Sequence, residues 1–201
     1  ELGRGARVQY IDALFPPQFA DTLAKLGLQC ERATLLMIYK VDGLASLFPA
    51  RPAFPALPNE VRTRRVTPQR GARLWQQVIE DSAYRVIAPA LEPIVAGDAV
   101  IQDAIQEDIV AYRHRLPVGI VRVSLHPALG TAHILALAVE RSQEQALIPS
   151  LIAVALRLAL RRGATVVFAD VDEAHETRFD GLGFAALGQM VSFAAPEAPM
   201  V

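Results

Sequence analysis

Between positions 133 and 169 the chain reads strand, helix, strand, and this order limits the fold more than any other feature. His133 to Val139 is almost wholly apolar, as a strand buried on both faces is. A polar loop, Glu140 to Gln145, leads to an apolar helix from about Leu147 to Arg162, with Arg161 and Arg162 in its last turn and Gly163 as its stop. Apolar residues lie nearly all round this helix, which predicts that it is buried. Thr165 to Ala169 is a second apolar strand. Two strands joined through a helix must lie parallel in one sheet, with a right-handed crossover.

The flanking segments complete an α/β (α+β) pattern. Residues 1–42 read as a short β-α-β piece: Val8 to Ile11 alternates as a strand, Pro16 to Leu26 is a helix stopped by Gly27, and Ala33 to Val41 is a β-rich apolar run. Residues 43–59 form a connector. From Phe48 to Pro58 a proline falls at every third position, the period of polyproline II, and the Phe and Leu between them predict packing on the same protein. In residues 60–201, Glu60 to Val66 reads as a strand. Thr67 and Pro68 open a helix carrying Leu74, Trp75, Val78 and Ile79, and a second helical region runs from Ile87 to Val95. Asp108 to His114 and Val118 to Leu125 read as a hairpin turning at Leu116-Pro117. A short repeat sets Val8-Gln9-Tyr10-Ile11-Asp12, Leu26-Gly27-Leu28 and Met37 beside Val166-Val167-Phe168-Ala169-Asp170, Leu182-Gly183-Phe184 and Met190. It makes the N-terminal piece the tail end of a duplicated domain.

Composition narrows the function. Apolar residues make up 52% of 201, enough for a sizeable core, and the net charge of −1 carries no basic or acidic block. Neither nucleic acid nor an anionic membrane is the expected partner. The longest apolar stretch, Ala146 to Leu160, falls short of the ~20 residues of a membrane span. Cys30 is the single cysteine, so no internal disulfide forms; a reducing, cytoplasmic setting and a small core residue are expected. The four histidines have no metal-ligand spacing, and no phosphate-binding, dinucleotide or nucleophile-elbow glycine pattern occurs. Ser142 and Gln145 read as a capping box.

The element order from Glu60 to Ala195 resembles the GNAT (GCN5-related N-acetyltransferase) superfamily. The resemblance rests on Pro117-Val118-Gly119, Leu137-Ala138-Val139, the Ala/Leu-rich helix closing at Gly163-Ala164, and Gly181-Leu182-Gly183-Phe184. It implies a mixed, mostly antiparallel sheet with a central parallel pair that splays apart, flanked by helices. It also implies acetyl-CoA or another acyl-CoA as co-substrate, and direct acyl transfer to an amine of a small molecule or a protein. The donor's pantetheine arm would lie along Leu137, Ala138 and Val139, pairing as an added strand does. Its pyrophosphate would sit at the helix start, between Gln143 and Ser150, on Gln143, Gln145, Ala146, Leu147, Ile148 and Ser150.

The chain departs from that pattern. At the loop's glycines stand Ala146 and Ile148 in one register, Leu147 and Pro149 in the register shifted by one. Arg141 is the cation placed to help a phosphate. The family's usual strand glutamate falls at Leu135 or Ala136, and its tyrosine acid at Phe179. Substitutes for proton transfer are His133, His175 and Glu140, with Tyr112 behind them. The acidic run Asp170, Asp172, Glu173 and Glu176 is either a solvated loop or a site for a cationic amine. An acyl-CoA-dependent N-acyltransferase is the expected activity, and a catalytically inactive ligand-binding or scaffold module is the alternative. A homodimer docked through residues 1–42 is compatible with both.

Overall fold

The computed structural model describes residues 7–41, 54–87 and 104–195. Among the described residues nine strands build one sheet: β1 (Arg7–Ile11), β2 (Gln29–Lys40), β3 (Val61–Val66), β4 (Tyr84–Ile87), β5 (Ile105–Arg113), β6 (Leu116–His126), β7 (Thr131–Glu140), β8 (Val166–Val171) and β9 (Ala185–Ala194). The order across it is β1-β9-β2-β8-β7-β6-β5-β3, with β4 attached to β7. The helices are α1 (Phe19–Lys25), α2 (Pro68–Glu80), α3 (Glu144–Arg161) and α4 (Glu176–Asp180). The expected crossover is present. β7 and β8 are parallel, while the other pairings are antiparallel.

Strand alternation divides the core between two faces. Beneath α3, Leu147, Leu151 and Leu156 meet Val121, Leu137, Val139 and Val167. On the other face Trp75 and Val78 of α2 meet Val110, Ile120, Ala136 and Ala138. Helix α3 runs longer than expected, and Arg141–Arg161 is long and apolar enough to cross a membrane by length and composition. Here it is a core helix, with Leu147 through Ala159 lying largely without exposure against the sheet.

Several expectations are corrected. The hairpin turns at His114-Arg115, whose φ values of 49° and 73° suit a two-residue turn, while Pro117 lies inside β6. Cys30 is exposed, because Gln29, Cys30 and Glu31 run past the covered part of the sheet. Ser142 does not cap α3; its hydroxyl donates to Glu140 instead, at 2.8 Å. Ile87 ends a strand rather than opening a helix, and the remainder of that expected helix, up to Val95, lies outside the described residues. Of the connector, Phe54 and Leu57 pack on the main core as expected, and residues 48–53 lie outside the description.

The repeat survives in an altered register. Gly27 and Gly183 both take left-handed backbone, φ 84° and 89°, just before β2 and β9. Placing Gly27 on Gly183 carries Gln29 onto Ala185 and Ile38 onto Ala194. The sheet pairs Gln29↔Ala194 and Ile38↔Ala185. Cys30↔Phe193 likewise becomes Met37↔Ala186, Arg32↔Ser192 becomes Leu36↔Gly188, and Thr34↔Met190 maps onto itself. Even the extra residues agree, Glu31 in β2 and Leu187 in β9. A pseudo-two-fold axis therefore passes between β2 and β9. It extends outward: Val8 pairs Phe193 as Ala169 pairs Met37, and Tyr10 pairs Val191 as Val171 pairs Leu35. Val8 thus stands for Ala169, and Met190 for Thr34.

Candidate active site

The parallel pair holds only from Thr131↔Val166 to Ile134↔Ala169. Beyond that point β7 continues to Glu140 and β8 to Val171 without pairing, so the two strands part. A bulge at Leu135 on the β6 side marks the same place. The splayed pair is present.

The edge it frees is occupied. β4 pairs antiparallel with β7 through Ile87↔Leu137, Val86↔Ala138, Arg85↔Val139 and Tyr84↔Glu140. The other side of the same residues is held by β6, as Val121↔Leu137, Ile120↔Ala138 and Gly119↔Val139. Leu137, Ala138 and Val139 thus have strand neighbours on both sides, and the free edge expected for a pantetheine arm is not there. Side-chain and loop bonds latch β4 down. The Tyr84 hydroxyl donates to the Pro117 carbonyl at 2.5 Å, and the Arg141 backbone N–H donates to the Ala83 carbonyl at 2.8 Å.

At the start of α3 an open cavity of about 500 Å³ is lined by Arg141 to Ala146 and by Arg178. Gln145 and Ala146 are exposed at its mouth, and Gln143 is half-buried against the Arg113 guanidinium. Leu147 and Ile148 point away, fully buried in the main core. Ser150 donates to the carbonyls of Ala146 at 2.8 Å and Ala56 at 2.9 Å, so it ties down the connector rather than facing the cavity. The Arg141 guanidinium donates to the Ser82 carbonyl at 3.0 Å. Arg178 pairs with Glu144 at 3.0 Å.

The candidate proton-transfer groups are scattered. His133 sits on the α2 face at the foot of the splay, its Nε2 3.3 Å from an Asp170 oxygen, though the ring N–H does not align for a hydrogen bond. Glu140 is at the far end of β7, accepting from Ser142 and 3.5 Å from Arg113. Seven residues of strand set the two about 23 Å apart, at ~3.3 Å each. They cannot serve one reaction centre. The Tyr112 hydroxyl accepts from Arg70 at 3.4 Å. Phe179 is buried, edge-on to Phe184 with ring centroids 5.3 Å apart.

His175 is 3% exposed, and its Nδ1 has no hydrogen-bond partner. Burial, then the nearby Arg178 and Arg85 cations, push its pKa below the ordinary 6.5, against a smaller pull from Asp172 and Glu144. A buried histidine that folds neutral supports the fold above the pKa it has when unfolded. That support is lost as pH falls from about 6.5 through the folded value. Acid unfolding of His175→Gln should therefore start at lower pH than that of the wild type, as followed by circular dichroism. Identical curves would exclude this role.

A second charged group was not foreseen. Arg122 and Asp108 form a bidentate pair at 2.8 Å on the α2 face, with side chains 5% and 3% exposed. The Trp75 ring nitrogen donates to the same carboxylate at 3.1 Å. The sequence signals one partner: Arg122 is the single Arg, Lys, Asp or Glu in apolar β6, whereas Asp108 stands beside Glu107 in β5. Among the described residues no group of His, Cys, Asp and Glu could hold a metal ion.

This fold, with its crossover and its parting parallel pair, is that of the GNAT acyltransferases. A GCN5-related N-acetyltransferase from Kribbella flavida superposes with a TM-score of 0.70 at 15% identity, over 97% of this chain and 70% of that one. One from Sphaerobacter thermophilus gives 0.63 at 15%, over 98% and 62%. A tandem GNAT protein from the clavulanic acid biosynthesis pathway gives 0.65 at 18%, over 96% and 64%. The chain thus spans about two thirds of the length of these structures. No protein-family model matches it, and no curated protein matches its sequence.

Proposed function

We propose that residues 60–195 are an acyltransferase fold held in a closed, non-catalytic form, acting as a scaffold or ligand-binding module. One observation carries this reading: Leu137, Ala138 and Val139 are paired on both sides, with β4 lying where a donor's arm would have to go. The helix start supports it, since Leu147 and Ile148 belong to the core. So does the absence of a proton donor at buried Phe179. Acetyl-CoA titrated to about 1 mM should give no heat and leave the melting temperature unchanged. A Kd of about 10 μM would instead add about 2.7 kcal/mol at that concentration. In a chain of this size that is a rise of roughly 5–10 °C. Such a rise would overturn the closed reading.

The second reading is an N-acyltransferase that uses acetyl-CoA or another acyl-CoA and acylates an amine, in a cytoplasmic setting. The parting of β7 from β8 beyond Ile134↔Ala169, with His133 and Asp170 at its foot, favours it. β4 would first have to leave β7. Under this reading His133 would be the base. His133→Ala should then slow thiol release over an amine panel by about 100-fold or more. Under the closed reading there is no release to slow.

A further inference from the structure

We infer that a cavity at the C-terminal end of α3 binds a small phosphorylated molecule with an apolar body. It holds about 560 Å³, a size typical of small-molecule sites. Four arginines line it: Arg64 and Arg65 from β3, Arg161 at the end of α3 and Arg162 just after it. It is separate from the cavity at the helix start, because Gln145 and Arg161 stand about 24 Å apart along the helix, at ~1.5 Å per residue. The site is therefore independent of the closed strand edge and is available under either reading above.

Glu107 shows what these arginines can hold. Its side chain is 12% exposed, and its two carboxylate oxygens are divided between Arg65, at 3.1 Å, and Arg162. One carboxylate thus ties β5 both to β3 and to the end of α3. Arg64 and Arg161 are exposed, and among the described residues neither has a hydrogen-bond or ion-pair partner. No acidic residue is among those that line the cavity. Four positive charges against the one of Glu107 leave a local excess of three. The helix dipole favours Arg161 and Arg162 at a C-terminus. A strand has almost no dipole to offset Arg64 and Arg65 in the same way. An added anion offsets the repulsion that remains.

The lining sets the ligand's chemistry. Guanidinium forks match the oxygens of a phosphate, and half-buried Thr63 adds a hydroxyl. The apolar wall is made by Ile109, Val154 and Leu158, and the stems of the arginines extend it. That wall suits the body of a phosphate ester and gives bare phosphate nothing. No aromatic side chain lines the cavity, so the bases of a nucleic-acid strand have no ring to stack on.

Phenyl phosphate is the probe, titrated into the whole chain at low salt and followed by backbone amide shifts. The amides of Thr63 to Arg65, Arg161 and Arg162 should move together and saturate, with a Kd of about 1 mM or tighter. Inorganic phosphate should bind about 10-fold more weakly, since it leaves the apolar wall uncovered. Arg64→Gln with Arg161→Gln should weaken phenyl phosphate by about 10-fold or more. Both side chains are exposed and unpartnered, so circular dichroism should show the fold unchanged. Arg70→Gln with Arg73→Gln makes the same charge change on α2, outside the cavity, and should bind as the wild type does. Equal losses in the two double variants would reduce the effect to net charge and overturn the inference. So would equal affinity for the two phosphates, shifts centred on Arg141 and Arg178 instead, or no saturable shift up to about 10 mM.

Discussion

Asp108→Ala should cost the fold about 3–5 kcal/mol, the usual penalty for leaving one member of a buried ion pair without its partner. For a chain of this length that is a fall in melting temperature of roughly 10 °C or more. The carboxylate accepts from two nitrogens of Arg122 and from the Trp75 ring. Removing it takes two charge-assisted bonds from a guanidinium whose side chain is 5% exposed and frees a donor on a fully buried indole. Gly71 belongs to the same arrangement, since a β-carbon there would lie 1.8 Å from the Asp108 Oδ2 atom. The pair specifies how α2 sits on the hairpin, more than it stabilises. A double variant, Asp108→Leu with Arg122→Met, should therefore recover most of the loss, because desolvating two charges offsets much of their attraction. Denaturant unfolding of the three proteins checks both statements. A single-variant loss under about 1 kcal/mol would show that water or another group already shields Arg122.

What could be read from the residues was what periodicity and stop signals encode locally. The crossover from His133 to Ala169 has a fully apolar strand, an all-round apolar helix and a terminal glycine, and all three appear in place. β4 left no such trace. Tyr84 to Ile87 is only four residues long, and these form a strand because the parting of β7 and β8 leaves a backbone edge that must be satisfied. That cause is tertiary. The repeat was found through Gly27 and Gly183, where backbone geometry demands the residue type. Its strands are out of register because Met37 matches Met190 and Val8 matches Val166 only in residue type, where apolar residues of similar size give no landmark for the pairing. The site suffered from the same limit. Leu137 to Val139 lay on the expected strand, yet no pattern in those three residues records what pairs with them.

The β4 latch can be tested by proline replacement, and the strand geometry supplies its own control. In an antiparallel pair, successive residues aim their N–H groups at opposite edges. Of Arg85 and Val86, one therefore donates toward β7 and the other away from it. Proline at the inward position removes a ladder bond and cannot be accommodated between paired strands, whereas at the outward position it is tolerated as on an edge. One of Arg85→Pro and Val86→Pro should raise hydrogen exchange by about 100-fold at those of Leu137 to Glu140 whose N–H groups face β4, and the other should not. Thr131 to Ile134 should stay protected in both, held by β8. If neither variant exposes the edge, β4 is not what closes the slot. With the edge open, acetyl-CoA should still fail to bind, because pairing with the arm would be regained while the helix start would still present Ala146 in place of bare backbone. Binding recovered on opening β4 would mean that this strand alone holds the protein inactive, and the N-acyltransferase reading would then replace the closed one.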